Sequence, residues 1–366
     1  MAETALAPVA APDTLGRSSF IAWLRVLAIA GVVLIHVSGS VTLRQDLSGT
    51  PVFILATVMN GATRFCVPLF VLVSGSLLLR PSAMKAGMGA FYRKRLTRLV
   101  PALVVWHLVY LAFREFVRGQ HITAGHVATE LLSGKVYTAL YFFWLILGLY
   151  LVAPLLWNAM RDFSSRQRLI LGLILVALTC TWQSTLGIFA WQAIAGGSGA
   201  QTIWTLWIPY VGYFVLGGAL RDLTPSLRTG LMGLGLAALG MCVTTWQAYG
   251  GAPTALKIFT PPSYWGWLVA MVTVGLWLAA AWFWRSGTWA SRGLVGRLGE
   301  LLGSLTLGVF AVHLIVLYFV EQTIARGLAT ASIHVRGLLA VSGIVLLGAW
   351  AIAWAMSRVP WLRRIV

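Results

Sequence analysis

Apolar residues run along this chain in blocks of about twenty, separated by short polar stretches. Ten such blocks stand out, at roughly 20–43, 52–79, 99–117, 139–160, 168–187, 202–220, 229–249, 264–284, 303–325 and 337–357. A helix rises 1.5 Å per residue, so about twenty apolar residues cross the hydrocarbon layer of a bilayer. The pattern predicts an all-α polytopic membrane protein with about ten transmembrane helices. Residues 1–19, rich in Ala and Pro, read as a flexible cytoplasmic tail, and 20–366 as a single transmembrane domain. The first block is too long for a cleaved signal peptide. No internal repeat is evident.

Composition agrees. The 366 residues are 59% hydrophobic and only 10% charged, and mean hydropathy is +0.85. The net charge of +18 would suggest nucleic acid in a soluble chain, but basic loops also set membrane topology. With the N-terminus inside, 18 of the 27 basic residues fall on the inner side and 7 on the outer, with Arg25 and Arg64 inside spans. Both termini are therefore expected in the cytoplasm. Cys66, Cys180 and Cys242 lie in apolar blocks without metal-ligand spacing, so neither a disulfide framework nor a metal site is indicated.

Ionisable residues inside spans are expensive and are read as functional by default. Arg25 and His36 share the first block, IAWLRVLAIAGVVLIHVSG. Eleven helical steps of about 100° make three turns plus roughly 20°, so the two side chains share one helix face, about 16 Å apart along the axis. An imidazole with its ordinary pKa near 6.5 accepts a proton at physiological pH, which makes His36 the general-base candidate. The alternative is a structural histidine bonded to a backbone carbonyl. Arg64 stands in the second block, one turn after Asn60, a candidate ligand-binding residue.

The nine acids, including Asp46, Glu115, Glu130 and Glu321, fall in loops or at span ends. Buried cations without protein counter-charges suggest an anionic ligand. Arg95 and Arg98, three apart, lie on one side of a helix at the entry to the third span. Guanidinium groups suit phosphate through forked hydrogen bonds, although from spacing alone ordinary inner-face anchoring is the more common reading. Asp46 is a weaker loop candidate for a partner of the imidazole. His313 alone reads as a packing or helix–helix residue, and His107 as less still.

Taken together, these residues resemble the membrane acyltransferase-3 family, in the branch of stand-alone bacterial glycan O-acetyltransferases. Arg25 and His36 match its Arg-x10-His motif. RFCVPLFVLVSGSLLL, with Arg64, is similar to its second-span block, and Arg95-x-x-Arg98 to its Arg-x-x-Arg block. LILGLYLVAPLL, WIPYVGYFVLGGAL and LGVFAVHLIVL, the last supplying His313, resemble later blocks. Where members often carry His-x-Trp-Phe, this chain has Ala139, Tyr141 and Phe142, so the role of that histidine does not transfer.

The resemblance implies a multi-pass protein of the bacterial inner membrane. It would use acetyl-CoA as co-substrate, with no tightly bound cofactor. His36 would be the base and Arg25, Arg64, Arg95 and Arg98 would bind acyl-CoA. Asn60, Tyr141 and His313 are candidate substrate-binding residues. The acceptor would be the hydroxyl of a surface or exported polysaccharide or its lipid-linked precursor, and polysaccharide-synthesis machinery a partner. A transporter or flippase for an anionic lipid or metabolite is the competing expectation.

Overall fold

The computed structural model describes residues 14–188, 202–285, 293–327 and 334–366, with side chains for slightly fewer. Among them all regular structure is helical. The labelled helices are α1 (Thr14–Thr42), α2 (Pro51–Thr63), α3 (Cys66–Leu78), α4 (Pro81–Met84) and α5 (Gly87–Ala112). Next come α6 (Ala124–Ser133), α7 (Tyr141–Met160), α8 (Ser165–Ile188), α9 (Val211–Leu220) and α10 (Leu227–Tyr249). The last are α11 (Thr254–Phe259), α12 (Trp267–Arg285), α13 (Gly293–Ser304), α14 (Thr306–Gly327) and α15 (Val335–Arg358). Most of the expected tail lies outside the described residues, and α1 begins at Thr14, earlier than the polar sequence suggested.

Nine helical runs among the described residues are long and apolar enough to cross a membrane. The chain is thus an all-α polytopic membrane protein. The expected sixth span is different: its apolar helix, Ile208–Leu220, has only 13 residues. Every residue from Gly212 to Leu220 is buried. It is an internal element of the bundle, packed on α3 and α8.

The second span is broken. α2 starts at Pro51 under a Thr50 cap, whose Oγ1 accepts the Phe53 N–H at 3.3 Å. It ends at Arg64–Phe65, and α3 begins at Cys66. Pro68 explains the break, because it has no N–H to offer the Arg64 carbonyl four residues back.

Close approach of backbones holds the interior together. A Cβ on Gly75 would lie 1.8 Å from the Phe214 carbonyl oxygen, and one on Gly217 would lie 1.9 Å from that of Leu72. Only glycine permits this α3–α9 crossing, the small-residue packing that membrane helices favour. Gly233 and Gly275 do the same for α10 and α12.

α1 is central and packs on α2, α3, α12, α13, α14 and α15. It runs parallel to α14, Arg25 meeting Thr306 and His36 meeting His313. α15 returns antiparallel to α14, with Ala353 beside Gly308 and Gly348 near Val316. The start of α1 and the end of α15 therefore share one face of the bundle.

Candidate active site

A cavity of 220 Å³ opens between α1, α3, α5, α7 and α14. Its mouth is basic and polar, formed by Arg25, Lys94, Arg95, Arg98, Tyr150 and Thr306. Its inner end is aromatic, formed by Phe70, Phe142, Phe143 and Phe310. Phe310 packs on Phe142 and Phe143 with ring centroids 5.2 and 5.5 Å apart, and Phe142 on Phe70 at 5.7 Å. A broader cleft of 790 Å³, bordered by Arg80, Lys85 and Arg93, shares Lys94 and Arg95 with this mouth. Cations crowd there: burial and then the neighbouring Arg95 lower the Arg80 guanidinium below its ordinary range.

Arg25 donates from Nη2 to Thr306 Oγ1 at 2.7 Å, which ties α1 to α14. The Tyr150 phenol feels the charges of Arg95, Arg25 and Arg98 together. Among the described residues no carboxylate forms an ion pair with any of these three arginines. Arg95 instead stacks over Phe91, 5.8 Å from its centroid, and its Nε is buried without a partner. Clustered like charges with no carboxylate beside them favour an opposite charge. The mouth is therefore suited to an anion, and the aromatic end to an apolar group on the same molecule.

His36 does not line this cavity. It lies half-buried behind the aromatic end, its ring centroid 5.3 Å from that of His313 with 42° between the planes. His313 is wholly buried, and its ring lies 5.9 Å from that of Phe310. His313 Nδ1 is 2.6 Å from the Phe310 carbonyl oxygen. The phenylalanine whose ring helps close the cavity thus also anchors a histidine. Both α1 residues face α14, which is the common face that their spacing predicts.

Arg64 occupies a different place. It sits at the α2/α3 break, level with Gly31, and donates to the Pro262 carbonyl and, at 3.0 Å, to Asn60 Oδ1. Asn60 Nδ2 lies 3.3 Å from the Ile35 carbonyl oxygen, so both ends of that amide are engaged. Tyr141 hydrogen-bonds Tyr210 in a cluster with Tyr264. None of Arg64, Asn60 and Tyr141 lines the cavity.

Other polar groups find structural partners. His107 accepts from Trp144 Nε1 at 3.0 Å and faces the Leu103 carbonyl at 2.7 Å, locking α5 to α7. Asp46 does not approach the imidazole: it pairs with Arg44 at 2.6 Å on the surface, and that hydrogen bond holds its carboxyl below the usual range. Glu321 is half-buried and hydrogen-bonds Ser40, one turn beyond His36 on α1. The sequence placed this acid at a span end and did not associate it with α1.

Tyr150, Thr306 and the phenylalanine group were also missed. The available signal for Tyr150 was its place in the LGLYL block; the others are ordinary span residues by pattern.

A family model described as an acyltransferase domain, Acyl_transf_3, matches residues 18–357. No curated protein and no solved structure matches the chain. The match takes in the Arg25–His36 helix, the Arg95–Arg98 entry and the His313 helix in one continuous stretch, nearly the whole length of the protein. The chain belongs to the acyltransferase-3 family, and it is a membrane acyltransferase.

Proposed function

We propose that the protein transfers an acetyl group from cytoplasmic acetyl-CoA to a sugar hydroxyl of a bacterial surface or exported polysaccharide, or of its lipid-linked precursor. It would do so in the inner membrane. The observation that carries this reading is the cavity with three arginines at its mouth and no carboxylate among them. A nucleotide thioester has the matching shape in charge: phosphates at one end, a thin neutral arm at the other. Guanidinium groups bind phosphate through paired hydrogen bonds. The neutral arm would enter toward Phe142 and Phe310 and bring the thioester carbonyl near the histidine pair.

His36 is the base in this reading. The acceptor hydroxyl gives its proton to His36 as its oxygen attacks the thioester carbonyl. The carbon–sulfur bond then breaks, and the same proton passes to the departing thiolate. Phe310 stands between the cavity and His36, so its ring turns aside when the arm is in place. Arg64 and Asn60 hold the broken second span beside α1 and line the acceptor side in this scheme, with Tyr141 beside them.

A transporter reading takes some support from the α2/α3 break, since transporters build sites from broken helices. Release of free thiol separates the two. Purified protein given acetyl-CoA and a glycan acceptor releases thiol if it is the enzyme. His36→Ala should cut that release by about 10²–10⁴-fold with the protein still folded and inserted. Full turnover in this variant would remove His36 from the mechanism.

A further inference from the structure

The geometry points to His313 as a positioning residue that fixes the tautomer of His36 through a direct imidazole–imidazole hydrogen bond. This rests on the proposed role of His36 as base. A carbonyl oxygen only accepts, so the 2.6 Å contact with Phe310 requires the proton of His313 to sit on Nδ1. Its Nε2 then carries a bare lone pair. That atom is fully buried and has no partner among the described residues.

A buried acceptor left empty forfeits its hydration without compensation, so a donor is expected nearby. Among the described residues the ring packed on it from α1 is His36, and the centroid separation of 5.3 Å leaves room for one N–H···N bond of about 3 Å between the ring edges. Which ring edge of His36 faces His313 is an assignment that a 180° flip of the imidazole exchanges. With its nitrogen turned toward His313, His36 donates N–H to Nε2.

Its other nitrogen is then necessarily the unprotonated one, free to take a proton. His313 thereby does for His36 what a buried carboxylate does in hydrolase triads. It differs in carrying no charge, which suits a bilayer interior where a lone carboxylate is expensive. During turnover the acceptor proton goes to the free nitrogen of His36 and leaves with the thiolate. The His36–His313 proton stays in place, so the reaction balances as hydroxyl plus thioester giving ester plus thiol.

Three variants decide the matter. His313→Met keeps the volume and removes the acceptor. His313→Gln places a carbonyl oxygen near the former Nε2. The expected result is a fall in kcat of about 10²-fold or more for His313→Met with the KM for acetyl-CoA unchanged, and recovery to within about tenfold for His313→Gln. Equal activity in the two variants, or a change confined to KM, would overturn the assignment.

His36→Ala runs alongside: if it retains turnover, the base reading itself has failed, whereas a dead His36→Ala with a normal His313→Met sinks only the positioning role. If His313→Met does not insert, ¹⁵N-histidine-labelled wild-type protein is read instead. A nitrogen–nitrogen coupling across the two rings supports the bond. Two interconverting His36 tautomers with no coupling refute it.

Discussion

Replacing Arg25 by Gln should move stability and donor affinity in opposite directions. Three guanidinium groups surround Tyr150 at the cavity mouth, and Arg98 repels Arg25. A like-charge pair roughly 8–16 Å apart, at an effective dielectric near 20, costs on the order of 1–2 kcal/mol. Arg98 is exposed, so solvent screening favours the lower end, about 1 kcal/mol.

Gln retains an N–H donor for Thr306 and removes the charge. The ligand-free variant should melt at the wild-type temperature or about 1 °C above it. Acetyl-CoA loses one charged hydrogen bond, worth about 1.5–3 kcal/mol. Its Kd should rise roughly 10- to 150-fold. Thermal unfolding in detergent and equilibrium binding read both effects on one preparation. A variant that melts well below wild type and binds acetyl-CoA normally would refute the reasoning and leave Arg25 as a tie between α1 and α14.

Arg95→Ala should weaken acetyl-CoA binding by roughly 10-fold or more without reducing the amount of protein inserted; unchanged affinity would return Arg95 to a topology anchor. Gly217→Ala forces a methyl group into the Leu72 carbonyl, so α3 and α9 must separate, and a loss of about 1–3 kcal/mol should appear as a lower melting temperature. An unchanged melting temperature would mean that the two helices have room to part. Glu130→Gln breaks the ion pair with Arg114, whose two side chains are 13% and 16% exposed. It should cost about 1–3 kcal/mol and speed proteolysis in the 118–138 connection; cleavage at the wild-type rate would show that Gln120 and the Val136 carbonyl hold Arg114 sufficiently.

Hydropathy made the bundle legible because each long helix carries its own signal, and the eleven-residue spacing made the Arg25–His36 face legible because both residues sit on one unbroken helix. What it did not reveal depends on contacts between distant segments. Nothing in the α14 sequence says that His313 meets His36, or that Glu321 reaches Ser40. The break at Arg64 was readable from Pro68, four residues on, but the unbroken apolar run masked it. The sixth block looked like a full span because hydropathy sums composition and does not see burial. Arg64 illustrates the limit most directly: charge within a span identified it as unusual, yet its partners are a carbonyl near the start of α12 and the amide of Asn60.

The short helix, buried from Gly212 to Leu220, has a mechanical consequence. At 1.5 Å per residue its 13 residues reach about 20 Å, well short of the hydrocarbon thickness. A thicker or thinner bilayer acts first on peripheral helices such as α8 and α10, which tilt to accommodate the mismatch. α3 carries Phe70 and Ser74 to the cavity, and its glycine seam ties it to an element the lipid does not grip. The cavity wall that α3 supplies is thus shielded from changes in the bilayer, and its shape should survive transfer between membranes that would distort the rim.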